Sequence, residues 1–135
     1  MRLVDTNIAL YAVSVMPEDA AKRRVARQLL EQPELAVSVQ VLQEFYFRAT
    51  HPKGRFRLSP ETAMAFLETL LRYPVQSVTA DVFRAAVSIG QRYQISCWDG
   101  AILAAARALG CEAVYSEDLN HGQDYGGIRV INPFR

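Results

Sequence analysis

The chain has 135 residues, half of them hydrophobic and about a fifth charged, which suits one globular core over residues 1–135 and leaves little room for a second. Fifteen basic residues against fourteen acidic ones give a formal charge of +1, so no global field draws the protein to a polyanion, and any such affinity must come from a local patch. About two thirds of the unfolded surface can be buried at this length, so stability requires neither a disulfide nor a metal. A bound metal would serve function. No apolar run approaches the roughly 18 residues of a membrane span, and Met1-Arg2-Leu3-Val4-Asp5 has no signal-peptide character, which points to a soluble, cytoplasmic protein. Cys97 and Cys111 lack metal-ligand spacing and read as reduced, packed side chains. All basic residues but Lys22 and Lys53 are arginine, whose planar fork suits phosphate and carboxylate.

In chain order, Leu3-Val4 predicts a very short buried strand, followed by an apolar helix from Ile8 to Val15. Pro17-Glu18-Asp19 reads as the first turn of a helix that continues through Ala20 to Gln32 and stops at Pro33. Ala36 to Val39 is a second strand, running into a helix over Gln40 to Thr50 and then the basic loop His51 to Arg57. Ser59-Pro60-Glu61 opens a helix through Arg72 with Ala63, Phe66, Leu67, Leu70 and Leu71 on one face. Tyr73 to Val78 is a third strand, and Thr79 caps a helix to about Tyr93. Ser96-Cys97-Trp98-Asp99 opens the apolar helix Gly100 to Leu109, which Gly110 stops. Ala113 to Ser116 and Ile128 to Ile131 are the last strands, with a turn-rich stretch between them. Short apolar strands alternating with helices predict an α/β protein of three layers, α/β/α, around a parallel sheet of about five strands.

In such sheets ligands bind outside the carboxyl ends of the strands, so acids there are candidates for chemistry. Asp5 and Asp118 follow strands, Asp99 opens a helix, and Glu44 lies near the start of the helix after the second strand. Each also fits a structural role. Asp5 suits a helix cap, Ser96-x-x-Asp99 has capping-box spacing, Glu44 sits at the edge of its helix's apolar arc, and Asp118 suits an Asx turn. Gathered on one rim, four carboxylates would raise one another's pKa unless a hard dication such as Mg²⁺ or Mn²⁺ neutralised them.

Val4-Asp5-Thr6-Asn7, Gln43-Glu44-Phe45, Cys97-Trp98-Asp99-Gly100-Ala101, Ser116-Glu117-Asp118-Leu119 and the ending Val130-Ile131-Asn132-Pro133-Phe134 stand in this order along nearly the whole chain. Together they resemble the PIN-domain ribonucleases, and among them the VapC-type toxins of toxin-antitoxin modules. The resemblance implies that Asp5, Glu44, Asp99 and Asp118 are catalytic and bind Mg²⁺ or Mn²⁺, with Thr6, Asn7 and Ser116 as polar neighbours. Glu117 and Asp124 are further acids near the last motif. It also implies a homodimer and a cognate antitoxin that covers the site.

On this reading a metal-activated water attacks an RNA phosphodiester, and no histidine base is needed. Lys53, Arg55 and Arg57, with Phe56 among them, are candidates for gripping RNA, as are Lys22, Arg23, Arg24 and Arg27 more weakly. Either set also reads as a solvated surface. Tyr11, Tyr46 and Phe47 are candidate aromatics for protein contacts. His51 and His121 read as loop residues. Competing readings are a haloacid-dehalogenase-like phosphohydrolase with Asp5 as nucleophile, which would want an aspartate where Asn7 stands, and a receiver-like binding module, which would want a lysine after a late strand. A third keeps the PIN-like fold as a catalytically silent interaction domain.

Overall fold

The computed structural model describes residues 1–135. Five strands form an all-parallel sheet: β1 (Arg2–Val4), β2 (Leu35–Ser38), β3 (Val75–Gln76), β4 (Ala113–Tyr115) and β5 (Arg129–Ile131), in the spatial order β3-β2-β1-β4-β5. Parallel pairing requires crossovers, and the helices α1 (Thr6–Val13), α2 (Ala20–Leu30), α3 (Val39–Thr50), α4 (Pro60–Leu70), α5 (Ala80–Tyr93) and α6 (Cys97–Ala108) supply them. The α/β/α layering expected from the alternation is therefore present. No helix is long and apolar enough to cross a membrane.

The central strands β2, β1 and β4 are short but buried on both faces, and successive residues serve opposite layers. Leu3, Ala36, Val114 and Val130 face α5 and α6, packing with Ala86, Ile89, Ile102 and Leu103. Val4, Leu35, Val37 and Tyr115 face the other way, toward Ile8 and Ala12 of α1 and Ala26 and Leu29 of α2. A third cluster, with Phe45, Ala63 and Leu67 at its centre, ties α3 and α4 to α1.

Several boundaries differ from those predicted, and caps explain most of them. The Asp5 carboxylate accepts from Thr6 N–H at 2.7 Å, so α1 begins at Thr6 rather than Ile8 and ends at Val13 rather than Val15. Ser38 accepts from Val41 N–H, which moves Val39 from the second strand into α3. Pro17–Asp19 forms a separate 3₁₀ turn ahead of α2, because the Ala20 N–H bonds back to the Pro17 carbonyl. The third strand shrinks from six residues to Val75–Gln76, an edge pair beyond Pro74, whose missing N–H cannot join a ladder. Ser96 accepts from Asp99 N–H at 3.1 Å, so α6 starts at Cys97. Cys97 is exposed rather than packed, whereas Cys111 is buried, and both thiols are free.

One close approach sets the position of α6. A methyl group at Gly100 would stand 2.4 Å from the Ala86 carbonyl oxygen of α5, so only glycine lets the two helices meet there. Gly100 adjoins Asp99, and this contact fixes where that carboxylate begins.

Candidate active site

The strand order reverses direction between β1 and β4: the chain runs outward from β1 to β3, then returns to the other side of β1. Ligands in open α/β sheets bind at such a switch point. Asp5 leaves the end of β1 and Ser116 leaves the end of β4, side by side. The Ser116 hydroxyl donates to Asp5 Oδ2 at 2.8 Å and accepts from Asp118 N–H at 3.1 Å. Asn7 Nδ2 donates to Asp118 Oδ2 at 3.0 Å, and Thr6 Oγ1 donates to Glu44 Oε2 at 2.9 Å. Three polar side chains in the first turn of α1 and after β4 thus each hold one carboxylate in place.

The electrostatics join Asp99 to the group. The Asp5 carboxyl is raised from 3.8 to about 6: burial pushes it up most, the Ser116 and Thr6 hydrogen bonds pull it down, and the charges of Asp118 and Glu44 add to the rise. Asp99 is raised too, first by desolvation, against the Ser96 hydroxyl, and then by the same two charges, Asp118 and Glu44. Asp5, Glu44, Asp99 and Asp118 therefore share one electrostatic neighbourhood, as expected of a common rim. None of the four has a basic partner: every ion pair in the protein uses other acids.

This donor set fits a hard dication. It offers oxygen atoms only, uncompensated negative charge and a buried acceptor, Asn7 Oδ1, that bonds to nothing in the protein. The side chains do not by themselves converge, since no three His, Cys, Asp or Glu residues stand together at ligand spacing. An ion here would fill its remaining positions with water, as Mg²⁺ ordinarily does.

The other acids of the last motif are engaged elsewhere. Glu117 accepts from Tyr11 Oη at 2.7 Å and pairs with Lys22 Nζ at 2.8 Å, while Lys22 lies over the Tyr11 and Phe134 rings. Asp124 accepts from Gly127 N–H in the turn before β5. Of the three, Asp118 is the one facing the Asp5 group. Tyr11 is correspondingly a structural residue, stacked edge-on against Phe134, rather than a free contact aromatic.

The cations divide as well. Arg55 pairs at 2.8 Å with Asp19, a buried carboxylate that also accepts from Ser14, which anchors the His51–Arg57 loop to the 3₁₀ turn. Arg57 donates to Gly54 O, whereas Lys53 is exposed and unpaired. On α2, Arg23 and Arg27 donate to the backbone carbonyls of Ser14 and Ala12, leaving Arg24 free. His51 Nδ1 accepts from Lys53 N–H and His121 Nδ1 from Asn132 N–H, so both imidazoles serve loops. The Lys22 and Arg55 networks escape sequence reading because their partners lie 95 and 36 positions away or on a turn with no motif.

The PIN domain family model matches residues 2–123. The chain belongs to the PIN-domain family. Its fold is similar to the toxin-antitoxin complex from Klebsiella pneumoniae at 26% identity and a TM-score of 0.69, covering 98% of either chain. It is also similar to FitAcB from Neisseria gonorrhoeae (17% identity, TM-score 0.70, 99% of either chain). Mycobacterium tuberculosis VapC20, described as a sarcin-ricin loop cleaving toxin, matches at 22% identity and a TM-score of 0.65 over 87% of this PIN-domain chain and 90% of its own. No curated protein matches significantly by sequence.

Proposed function

We propose that this PIN-domain protein is a Mg²⁺- or Mn²⁺-dependent endoribonuclease, the toxin of a type II toxin-antitoxin pair. The observation that carries the proposal is the placement of Asp5, Glu44, Asp99 and Asp118 around the sheet's switch point, where the charges of Asp118 and Glu44 act on both Asp5 and Asp99 and none of the four has a basic partner. Carboxylates that burial and one another push toward protonation, with no cation beside them, suit a dication and not a salt-bridge network.

Asp5 and Asp99 would hold the ion, with Glu44 and Asp118 completing the pocket. When bound, the metal supplies charge neutralisation for the phosphodiester and its departing oxygen. Ser116 fixes the Asp5 carboxylate, Thr6 fixes Glu44, and Asn7 fixes Asp118, so the negative groups are oriented before substrate arrives. Neither histidine is available as a base, and the acids and their solvent must handle the proton.

The test is cleavage of a mixed structured-RNA pool by purified protein with Mg²⁺, Mn²⁺ or EDTA, beside Asp99→Asn. Cutting that needs the metal and disappears in the variant supports the reading. A folded, metal-binding protein that cuts no RNA returns the chain to a PIN-like interaction domain.

An antitoxin is proposed as partner because the Klebsiella pneumoniae relative is described as a toxin-antitoxin complex. An apolar groove between α1, α2 and α4, lined by Val13, Val15, Leu30 and Phe66, has room for an amphipathic segment. A homodimer is proposed through the face where Val78 and Phe83 stand 60% and 63% exposed. Phe83→Asp should then sediment as a monomer at concentrations where the parent is dimeric; a parent that is monomeric throughout discards the dimer.

A further inference from the structure

One face of α3 remains outside the scheme above. Gln40, Gln43, Glu44 and Phe47 are spaced i, i+3, i+4, i+7, so they form one stripe along the helix. With Trp98 from the first turn of α6 they line a recess of about 430 Å³. Trp98 is 71% exposed and Phe47 65%, an unusual arrangement for two large rings flanking amides. Gln40 Nε2 donates to the Trp98 carbonyl at 3.2 Å, which ties the α3 wall to the α6 wall and sets the width. The Gln43 amide makes no hydrogen bond within the protein, leaving a donor and an acceptor in the recess.

The surroundings of this recess differ at its two ends. At one end is Glu44, whose carboxylate is bonded to Thr6 beside Asp5. Trp98 itself is bonded in sequence to Asp99. At the other end Phe47 also lines a second hollow with Arg48, His51 and Arg55, and its ring meets the His51 ring edge-on at 5.3 Å. A path therefore runs from the carboxylates, over exposed aromatic rings and the free Gln43 amide, to the exposed and unpaired guanidinium of Arg48, Arg55 being held by Asp19. A second protein copy would want the apolar part of this surface. A single strand of nucleic acid wants all three parts in this order: carboxylates and their ion for the scissile phosphate, rings for a base, a cation for the next phosphate.

We infer that the Trp98–Phe47 recess is the subsite for one unpaired base of the RNA next to the cleaved bond. Trp98 supplies the stacking face, and Gln43 supplies hydrogen bonds to the base edge. The inference rests on the ribonuclease reading of the carboxylates and names how the same site positions its substrate. Trp98 is here a specificity and positioning residue that touches substrate away from the reacting atoms.

Trp98 is the single tryptophan of the chain, so its fluorescence reports this surface without interference from another indole. Octaadenylate is titrated into Asp5→Asn protein, which prevents cutting, and binding is followed in parallel by anisotropy of a labelled strand. The expected result is saturable quenching of Trp98 emission that tracks the anisotropy. Trp98→Ala should weaken binding about tenfold, as loss of one stacked base does, and Trp98→Phe should recover most of it. In the active protein Trp98→Ala should raise KM far more than it lowers kcat, with an unchanged melting temperature. Binding without quenching, or equal affinity in Trp98→Ala, overturns the inference while leaving metal-dependent cutting intact. Because Trp98 also borders the hollow that Val78 and Phe83 line, the titration is run at a protein concentration where sedimentation shows a single oligomeric state. Absence of both cutting and binding overturns the ribonuclease reading with it.

Discussion

Asp5→Asn should abolish metal-dependent cleavage and at the same time make the metal-free protein more stable. The activity loss is expected to be about a thousandfold or more, equivalent to roughly 4 kcal/mol of transition-state stabilisation. The stability gain follows from linkage. In the folded protein the Asp5 carboxyl titrates at about 6, against an ordinary value of 3.8. The native state thus holds this proton more tightly than the unfolded chain, and ionised Asp5 is a destabilising group. Its effect is absent below pH 3.8, grows as pH rises, and is complete above about 6, where that gap corresponds to about 3 kcal/mol. Asparagine carries no charge, caps a helix as well as aspartate does, and retains an acceptor for the Thr6 N–H. In EDTA at pH 7.5 the variant should therefore melt several degrees above the parent, with the difference vanishing near pH 4. Mn²⁺ should reverse the order by raising the parent's melting temperature alone, since the ion binds only its folded state. A variant that is less stable in EDTA at neutral pH, or that still gains from Mn²⁺, would contradict this account of the buried carboxylate.

Among the seven glycines, Gly100→Ala should be the most damaging substitution. The new carbon would lie 2.4 Å from the Ala86 carbonyl oxygen, a backbone atom in the middle of α5 that no rotamer change can move. Helix α6 would have to back away. The cost of such overpacking is about 3 kcal/mol, or a fall of about 10 °C in melting temperature for a domain of this size. Because Asp99 is the preceding residue, metal affinity should fall as well, without any change in the carboxylates. Gly110→Ala is the contrast. Gly110 has open space around it but a φ of +74°, so its cost is conformational and should be about 1 kcal/mol, with metal binding unaffected. Equal melting temperatures for Gly100→Ala and the parent would mean that α5 and α6 are not in fixed contact.

Most of the frame is legible in the amino-acid order because it rests on local signals. Ser59-Pro60, Thr79 and Ser96 announce helix starts that hydrogen bonds to Thr62, Val82 and Asp99 then realise. The apolar runs at Leu3-Val4, Ala36-Val37 and Ala113-Val114 announce strands, since burial on both faces leaves no alternation to read. Where the reading slips, a side chain is at work across one or two positions, as when Asp5 and Ser38 recruit Thr6 and Val39 into helices. The four acids could be nominated by their place after strands and at helix starts. What could not be read is how each is held. The bond from Asn7 to Asp118 spans 111 positions, and that from Ser116 to Asp5 the same distance, so their pairing exists only once β1 and β4 lie together. The same limit hid Arg55, whose charge looked available for RNA but is largely spent on buried Asp19. Trp98 carried no sign of exposure, because a tryptophan beside an apolar helix normally reads as core.

The central position of β1 has a consequence for how the protein is made. Strand β1 is synthesised more than a hundred residues ahead of one of its two neighbours, β4, which begins only at Ala113. Until that strand leaves the ribosome, Asp5 has no Ser116 to fix it and no Asp118 beside it. A chain halted before residue 116 carries three of the four acids and lacks the pocket they need. High sequence separation, which ordinarily only slows folding, here also keeps the carboxylate group from assembling until β4 has paired with β1.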